Sequence, residues 1–230
     1  MSASGGGRLR PLALVLASVL TAAPAVAHEP ARVEDEYIKG TFTPAFVPPA
    51  PGSYELPVLR TVAPFVLRDA EGRSISTASV MSGKVAVVSF IYTACTDRLG
   101  CPLASAALRR LQTRLHDERL GEEAVLLTIS FDAERDTPGQ LAKYARAYDA
   151  DPRLWRFMTA PSARTLEAVL KSYGQDRQPE YDERGRFTGR YRHMLKVFLV
   201  DRRGRIRNIY STGFLVPDVV VNDVKTVLRD

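Results

Sequence analysis

The chain has 230 residues, 45% of them hydrophobic and 25% charged, with a formal charge of +6. That composition excludes a disordered or low-complexity chain and fits one globular domain with residues to spare at its ends. So small a charge excess defines no partner, which leaves the two cysteines and three histidines as the residues most able to carry chemistry.

Arg8 and Arg10 precede an apolar run from Pro11 to Ala25, and Ala25-Val26-Ala27 offers small residues at a cleavage position. Residues 1–27 therefore read as a secretory signal peptide, which places the mature protein in the periplasm or at the cell exterior. The apolar run is about 15 residues, short of a bilayer span, so a retained anchor over residues 11–27 is the weaker expectation. Cleavage would leave 30 Lys and Arg (32 less Arg8 and Arg10) against 26 Asp and Glu, a net +4. Residues 28–58 are rich in proline (Pro44, Pro48, Pro49, Pro51, Pro57) and follow no helical or strand period, so an extended arm is expected there.

The domain proper, residues 59–230, opens with a short strand at Phe65-Val66-Leu67 and a turn over Asp69–Arg73. Three near-continuous apolar runs predict strands covered on both faces: Val85–Tyr92, Ala124–Phe131 and Lys196–Val200. Helical periodicity runs from Pro102 to about His116, with Ala104, Ala107, Leu108, Leu111 and Leu115 on one face. Further helices are predicted from Thr137-Pro138 to about Tyr148, over Ser162–Tyr173 and over Pro217–Leu228, with Thr137 as a cap before a proline at the first helical position. Val197–Tyr210 folds back through Asp201–Gly204 as a hairpin. Strands alternating with helices make an α/β domain, a central mixed sheet flanked by helices, of thioredoxin-like size and order. Arg184, Arg186, Phe187, Arg190, Tyr191 and Arg192 interleave charge with aromatics but follow Asp182 and Glu183, so they read as a solvated loop rather than a nucleic-acid site. An acidic partner surface fits that loop as well.

Cys95 lies in the loop after the Val85–Tyr92 strand, and Cys101-Pro102 begins the helix beyond it. Ligand sites of α/β sheets gather at such strand ends. A cysteine at a helix N-terminus is expected to ionise easily, which makes Cys101 the candidate thiolate. The five intervening residues let the pair close as a disulfide or open as a two-thiolate clamp, and thiolates favour Cu(I), Zn(II) and similar ions with at least one further donor. Of the histidines, His116 falls late on an amphipathic helix and His28 would be the mature N-terminus; both read as solvated. His193, just before the Lys196–Val200 strand in a stretch with Tyr191 and Met194, reads by itself as a surface or core histidine more often than as a ligand.

Phe90-Ile91-Tyr92-Thr93-Ala94-Cys95-Thr96-Asp97 followed by Cys101-Pro102 resembles the cysteine signature of the Sco/SenC copper chaperones. Ile129–Pro138 is similar to that family's second block, and His193 with Val197–Asp201 to its histidine-bearing strand. The resemblance runs from about Ala63 to the C-terminus. It implies a thioredoxin-like fold, copper held by Cys95, Cys101 and His193, and a partner in the copper-containing subunit of a respiratory cytochrome c oxidase. The family spaces its cysteines by three residues; this chain has five, with Thr96 where proline is usual. Asp136 and Thr137 read as a helix cap with a local ion pair, while Asp132, Glu134 and Arg135 stand close enough to the cysteine loop to orient a partner. A second reading makes Cys95 and Cys101 the redox pair of a periplasmic thiol-disulfide oxidoreductase acting on a partner protein. The chain lacks the two-residue cysteine spacing of such enzymes and has no proline over Arg192–Lys196, where they carry a cis-proline. A static Cys95–Cys101 disulfide in a binding module is the third.

Overall fold

The computed structural model describes residues 1–2, 42–44 and 46–230. The chain divides into two units, residues 1–31 and 32–230, and the strands and helices described all belong to the second. The signal-peptide reading and His28 lie outside the described residues, apart from residues 1–2. Among those described, no helix is long and apolar enough to cross a membrane.

Short strands β1 (Arg60–Thr61), β2 (Val66–Asp69) and β3 (Ser74–Ser76) and a one-turn helix α1 (Thr77–Val80) precede the central elements. These are β4 (Val85–Ile91), α2 (Cys101–Asp117), β5 (Ala124–Ser130), α3 (Pro138–Ala147), β6 (Trp155–Thr159) and α4 (Ala163–Tyr173). A hairpin of β7 (Gln178–Tyr181) and β8 (Phe187–Arg192) leads to β9 (Val197–Val200), β10 (Arg205–Tyr210) and α5 (Pro217–Val227). Eight strands form one sheet in the order β1-β10-β9-β4-β5-β6-β2-β3, with β4, β5 and β6 parallel and β9 antiparallel to β4.

Every residue of β4, β5 and β9 is buried, which is why each reads as a near-continuous apolar run. Right-handed crossovers carry α2 and α3 over one face, where Ser105 Oγ meets the Tyr144 hydroxyl at 2.9 Å. Arg114 of α2 pairs with Asp218 of α5 at 2.8 Å on the same side. On the other face α4 packs Tyr173 edge-on to Phe90 and Phe198, with ring centroids 5.2 and 5.3 Å apart. Thr137 and Ser162 cap α3 and α4, accepting from Gln140 N and Thr165 N.

Three hairpin turns share one sequence device, Asp-x-x-Gly-Arg, at Asp69–Arg73, Asp182–Arg186 and Asp201–Arg205. In each, the aspartate Oδ1 accepts the backbone N–H groups two and four residues on, and Oδ2 takes the arginine Nε. The middle copy closes β7 onto β8, so the basic segment expected as a loop is a strand. Its side chains alternate outward with little burial, and no apolar period marks it. Strand β6 was likewise outside the expected elements, because Arg156 breaks its short apolar run; the guanidinium turns to Asp69 at 3.5 Å. Residues 49–56 run along α5 and β10, where Pro49 O accepts from Asn222, Pro51 O from Arg229 and Leu56 O from Arg207.

Candidate metal centre

Strand β4 delivers the chain to the carboxyl end of the sheet, where Cys95 N donates to Tyr92 O at 3.2 Å and turns the backbone at once. The five-residue spacer then winds about Asp97. Leu99 N donates to Asp97 Oδ1 at 3.0 Å, and Gly100 N to Asp97 O at 3.0 Å. Gly100 is the N-cap of α2 and Cys101 its first residue. Because β9 runs antiparallel beside β4, the segment before it arrives at the same end with His193. The two Sγ atoms and the His193 ring nitrogen all lie within 4.8 Å of one another, and Cys101 Sγ is 3.9 Å from His193 Nε2. Both thiols are free; Cys95 is half-buried and Cys101 is fully buried.

The acidity of the pair is the reverse of the expectation drawn from helix position. The neighbouring Cys101 thiol, with help from His193 and from the Cys101 backbone N–H, outweighs burial and holds Cys95 down at about 4. Burial, followed by the adjacent Cys95, pushes Cys101 up. The first amide of the helix thus serves the sulfur in front of it, whereas Cys101 sits inside the first turn and away from water. The surroundings thus favour the thiolate at the more exposed Cys95 and the neutral thiol at the buried Cys101.

Aromatic rings wall the imidazole. The Phe131 centroid is 4.7 Å from that of His193, with Tyr92 at 6.1 Å and edge-on, and Tyr191 packs on both Tyr92 and Phe131 at 5.4 and 5.7 Å. Burial pushes the pKa of the Tyr92 phenol up, and the Cys95 sulfur beside it pushes it further. A groove of about 360 Å³, lined by Tyr92, Cys95, Asp97, Arg190, Tyr191 and His193 among others, opens the site to solvent.

Asp136 does more than the local cap and ion pair expected of it. Its carboxylate, 1% exposed, accepts from Thr93 N at 3.0 Å, Thr93 Oγ1 at 2.5 Å and Ser130 Oγ at 2.6 Å, so it ties the start of the cysteine loop to the end of β5. The ion pair belongs instead to Asp132 and Arg135. Arg135 donates onward to Gly189 O at 2.7 Å and lies over the Phe187 ring at 5.1 Å, which fastens the hairpin to the site. Gly189 has φ +82°, and a Cβ there would stand 2.7 Å from Arg135 Nη1, so only glycine fits. Glu134 lines a second groove beside the hairpin. His116 is half-exposed, 3.6 Å from Asp151, and outside the cysteine–histidine cluster. Sequence reasoning had passed over Thr93, Tyr92 and Phe131 as site residues. The aromatics carried a signal, since each stands at or just past the end of a buried strand.

A thioredoxin-like sheet with two free thiols and an imidazole meeting at its carboxyl end defines a domain built for soft-metal or thiol chemistry. Residues 55–229 match the SCO1/SenC family, and the chain belongs to it. A SCO1 protein homologue of Bacillus subtilis (strain 168) is 29% identical over 173 residues, which is 74% of this chain and 84% of that one. The solved structure of BsSco, a member of the Sco family of cytochrome c oxidase assembly proteins in which a disulfide switch was identified, is 27% identical with a TM-score of 0.61; it covers 76% of this chain and 98% of its own. Copper-bound ScoI of Arabidopsis thaliana is 22% identical, covering 74% of this chain and 98% of its own, and shares the fold at a TM-score of 0.61.

Proposed function

We propose that the protein binds copper outside the cytoplasmic membrane through Cys95, Cys101 and His193, and delivers it to, or prepares, the copper site of a respiratory cytochrome c oxidase. The observation that carries this reading is the convergence of two thiol sulfurs and one imidazole nitrogen within 4.8 Å at a solvent-open groove. That donor set fits copper, because soft sulfur ligands select Cu(I) and imidazole accommodates either oxidation state. Cys95 is ready as a thiolate, and Cys101 gives up its proton on ligation. Family membership and the copper-bound relative support the cargo; family membership supports the oxidase as recipient. Contact with a membrane comes through that partner or an uncleaved leader. Anaerobic titration of the reduced protein with Cu(I) against a competing chelator tests the site. One tightly bound ion is expected, lost on Cys95→Ser, Cys101→Ser or His193→Ala. Binding indifferent to His193 overturns the three-ligand assignment.

One observation favours a second reading. A half-exposed Cys95 backed by a buried Cys101 is the asymmetry of an attacking and a resolving thiol. Cys95 Sγ would attack a partner disulfide and expel one partner thiolate, which takes up a proton. Cys101, losing its proton, would then attack Cys95 Sγ and expel the second. Two electrons pass to the partner, and a dithiol reductant must return them. On this reading Cys101→Ser traps a mixed disulfide through Cys95; failure to trap one with a disulfide-bonded peptide removes it.

A further inference from the structure

We propose that Gln175 is the positioning residue of His193, and that a buried amide is retained there because it fixes the segment carrying the imidazole. The consequence for copper rests on the function proposed above; the geometry does not. Gln175 follows Gly174, whose left-handed backbone (φ +67°) ends α4. Its side chain is 4% exposed, and Nε2 donates to Asp176 O at 3.0 Å and to Met194 O at 3.1 Å. Both amide hydrogens are directed at carbonyls, so the reversed amide would set its oxygen against them; the orientation is fixed. Oε1 is buried and has no hydrogen-bond partner among the described residues. An apolar side chain of the same length would fill the space without stranding that oxygen.

The carbonyl Gln175 holds belongs to the residue directly after His193. The Met194 side chain is 63% exposed, so beside His193 the segment is held by Leu195 against the core and by this backbone contact. Lys196 grips the same turn, with Nζ donating to Gly174 O at 2.8 Å and meeting Asp176 Oδ1 at 3.3 Å. On the other side the imidazole meets the Phe131 ring. His193 is therefore set between an aromatic wall and the last turn of α4, and Gln175 is the buried half of the grip.

The test is Gln175→Met, which keeps length and volume but removes both donors and the unpaired oxygen, with Gln175→Glu as a second variant of the same shape and without the donors. In the metal-free protein the His193 ring protons, identified by their loss in His193→Ala, are shifted by the Phe131 ring. In both variants they are expected to move toward free-histidine positions, while core methyl signals stay in place. Cu(I) affinity is expected to fall 10- to 100-fold, as for other groups that orient a metal-bound histidine, and the melting temperature of Gln175→Met to stay close to wild type. His193 signals at wild-type positions in both variants overturn the proposal, as does an affinity loss that tracks the melting temperature. If the wild type binds no copper, the function proposed above fails, and the ring signals of the metal-free variants still decide the role of Gln175.

Discussion

Asp136→Ala should destabilise the protein by about 3 kcal/mol and loosen the cysteine loop with it. The carboxylate is buried and accepts three hydrogen bonds, from Thr93 N, Thr93 Oγ1 and Ser130 Oγ. Alanine strands a backbone N–H, at about 1–3 kcal/mol, and releases two hydroxyls, of which the half-buried Thr93 can turn to water. Asparagine keeps one oxygen for Thr93 N and Ser130 Oγ, while the Thr93 hydroxyl can rotate to accept from the new NH₂. Asp136→Asn should therefore cost about 1 kcal/mol or less. Burial also raises the carboxyl of Asp136 above its ordinary value. A raised folded value favours the protonated form, so this group's contribution is greatest below the unfolded value, about 3.9, and declines as pH rises through the folded one. The advantage of aspartate over asparagine should narrow over that interval. Urea unfolding of the three proteins at pH 4 and pH 7 measures this, and about 3 kcal/mol corresponds to about 6–12 °C in a domain of this size. An alanine variant within 1 kcal/mol of wild type, or an asparagine variant as weak as alanine, would refute the assignment of Asp136 as the tie between β4 and β5.

Because Cys101 is the largest influence holding Cys95 down, alkylation of Cys95 should have its pH midpoint near 4 in wild type and move toward that of an ordinary thiol, about 8.5, in Cys101→Ala; an unmoved midpoint in mass-spectrometric rate measurements would show that another group sets it. Asp201→Ala should cost about 3 kcal/mol in chemical unfolding, since it also strips a partner from the buried Arg207, whereas Asp182→Ala, in the same turn on the exposed hairpin, should leave the melting temperature near wild type. The backbone amides and Arg205 hold the Asp201 carboxyl below its usual value despite burial. Its stabilisation is complete above about pH 3.9 and is lost as pH falls through the folded value, so wild type and Asp201→Asn should converge in acid.

What the sequence discloses is uneven for physical reasons. Strands β4, β5 and β9 were readable because burial on both faces leaves few polar positions in them, and the helices because periodicity is joined by a proline at the start of α2 and α3 and by a side-chain cap at α3 and α4. The β7–β8 hairpin escaped because neither face is buried enough to impose a period. Its turn at Asp182 nonetheless repeats the device readable at Asp69 and Asp201, and that repeat was the signal available. The acidity of the thiols was misjudged because helix position is local and visible, whereas the burial of Cys101 depends on packing beneath it. Asp136 looked like a cap residue because its partner Thr93 is 43 residues away in the chain. Gln175 carries no pattern at all, since its value lies in one contact with a carbonyl 19 residues on.

The five-residue cysteine spacer, where this chain departs from its family's usual three, poses less of an obstacle than its length suggests. Loop-closure entropy grows only logarithmically, and lengthening the connection from three residues to five costs about 0.5 kcal/mol, about a twofold change in an equilibrium constant. The spacer is also not free: Asp97 gathers it by accepting from Leu99 N and Gly100 N, which lowers that cost further. Gly100 has a matching role, because a Cβ there would lie 3.3 Å from both Asp97 O and Oδ2 and crowd the turn. The two extra residues are thus taken up in a turn at the mouth of the groove, and the sulfurs remain within 4.8 Å of each other and of His193. What the insertion alters is the rim: it sets the Asp97 carboxylate and an exposed Leu99 beside the opening through which metal or partner must approach.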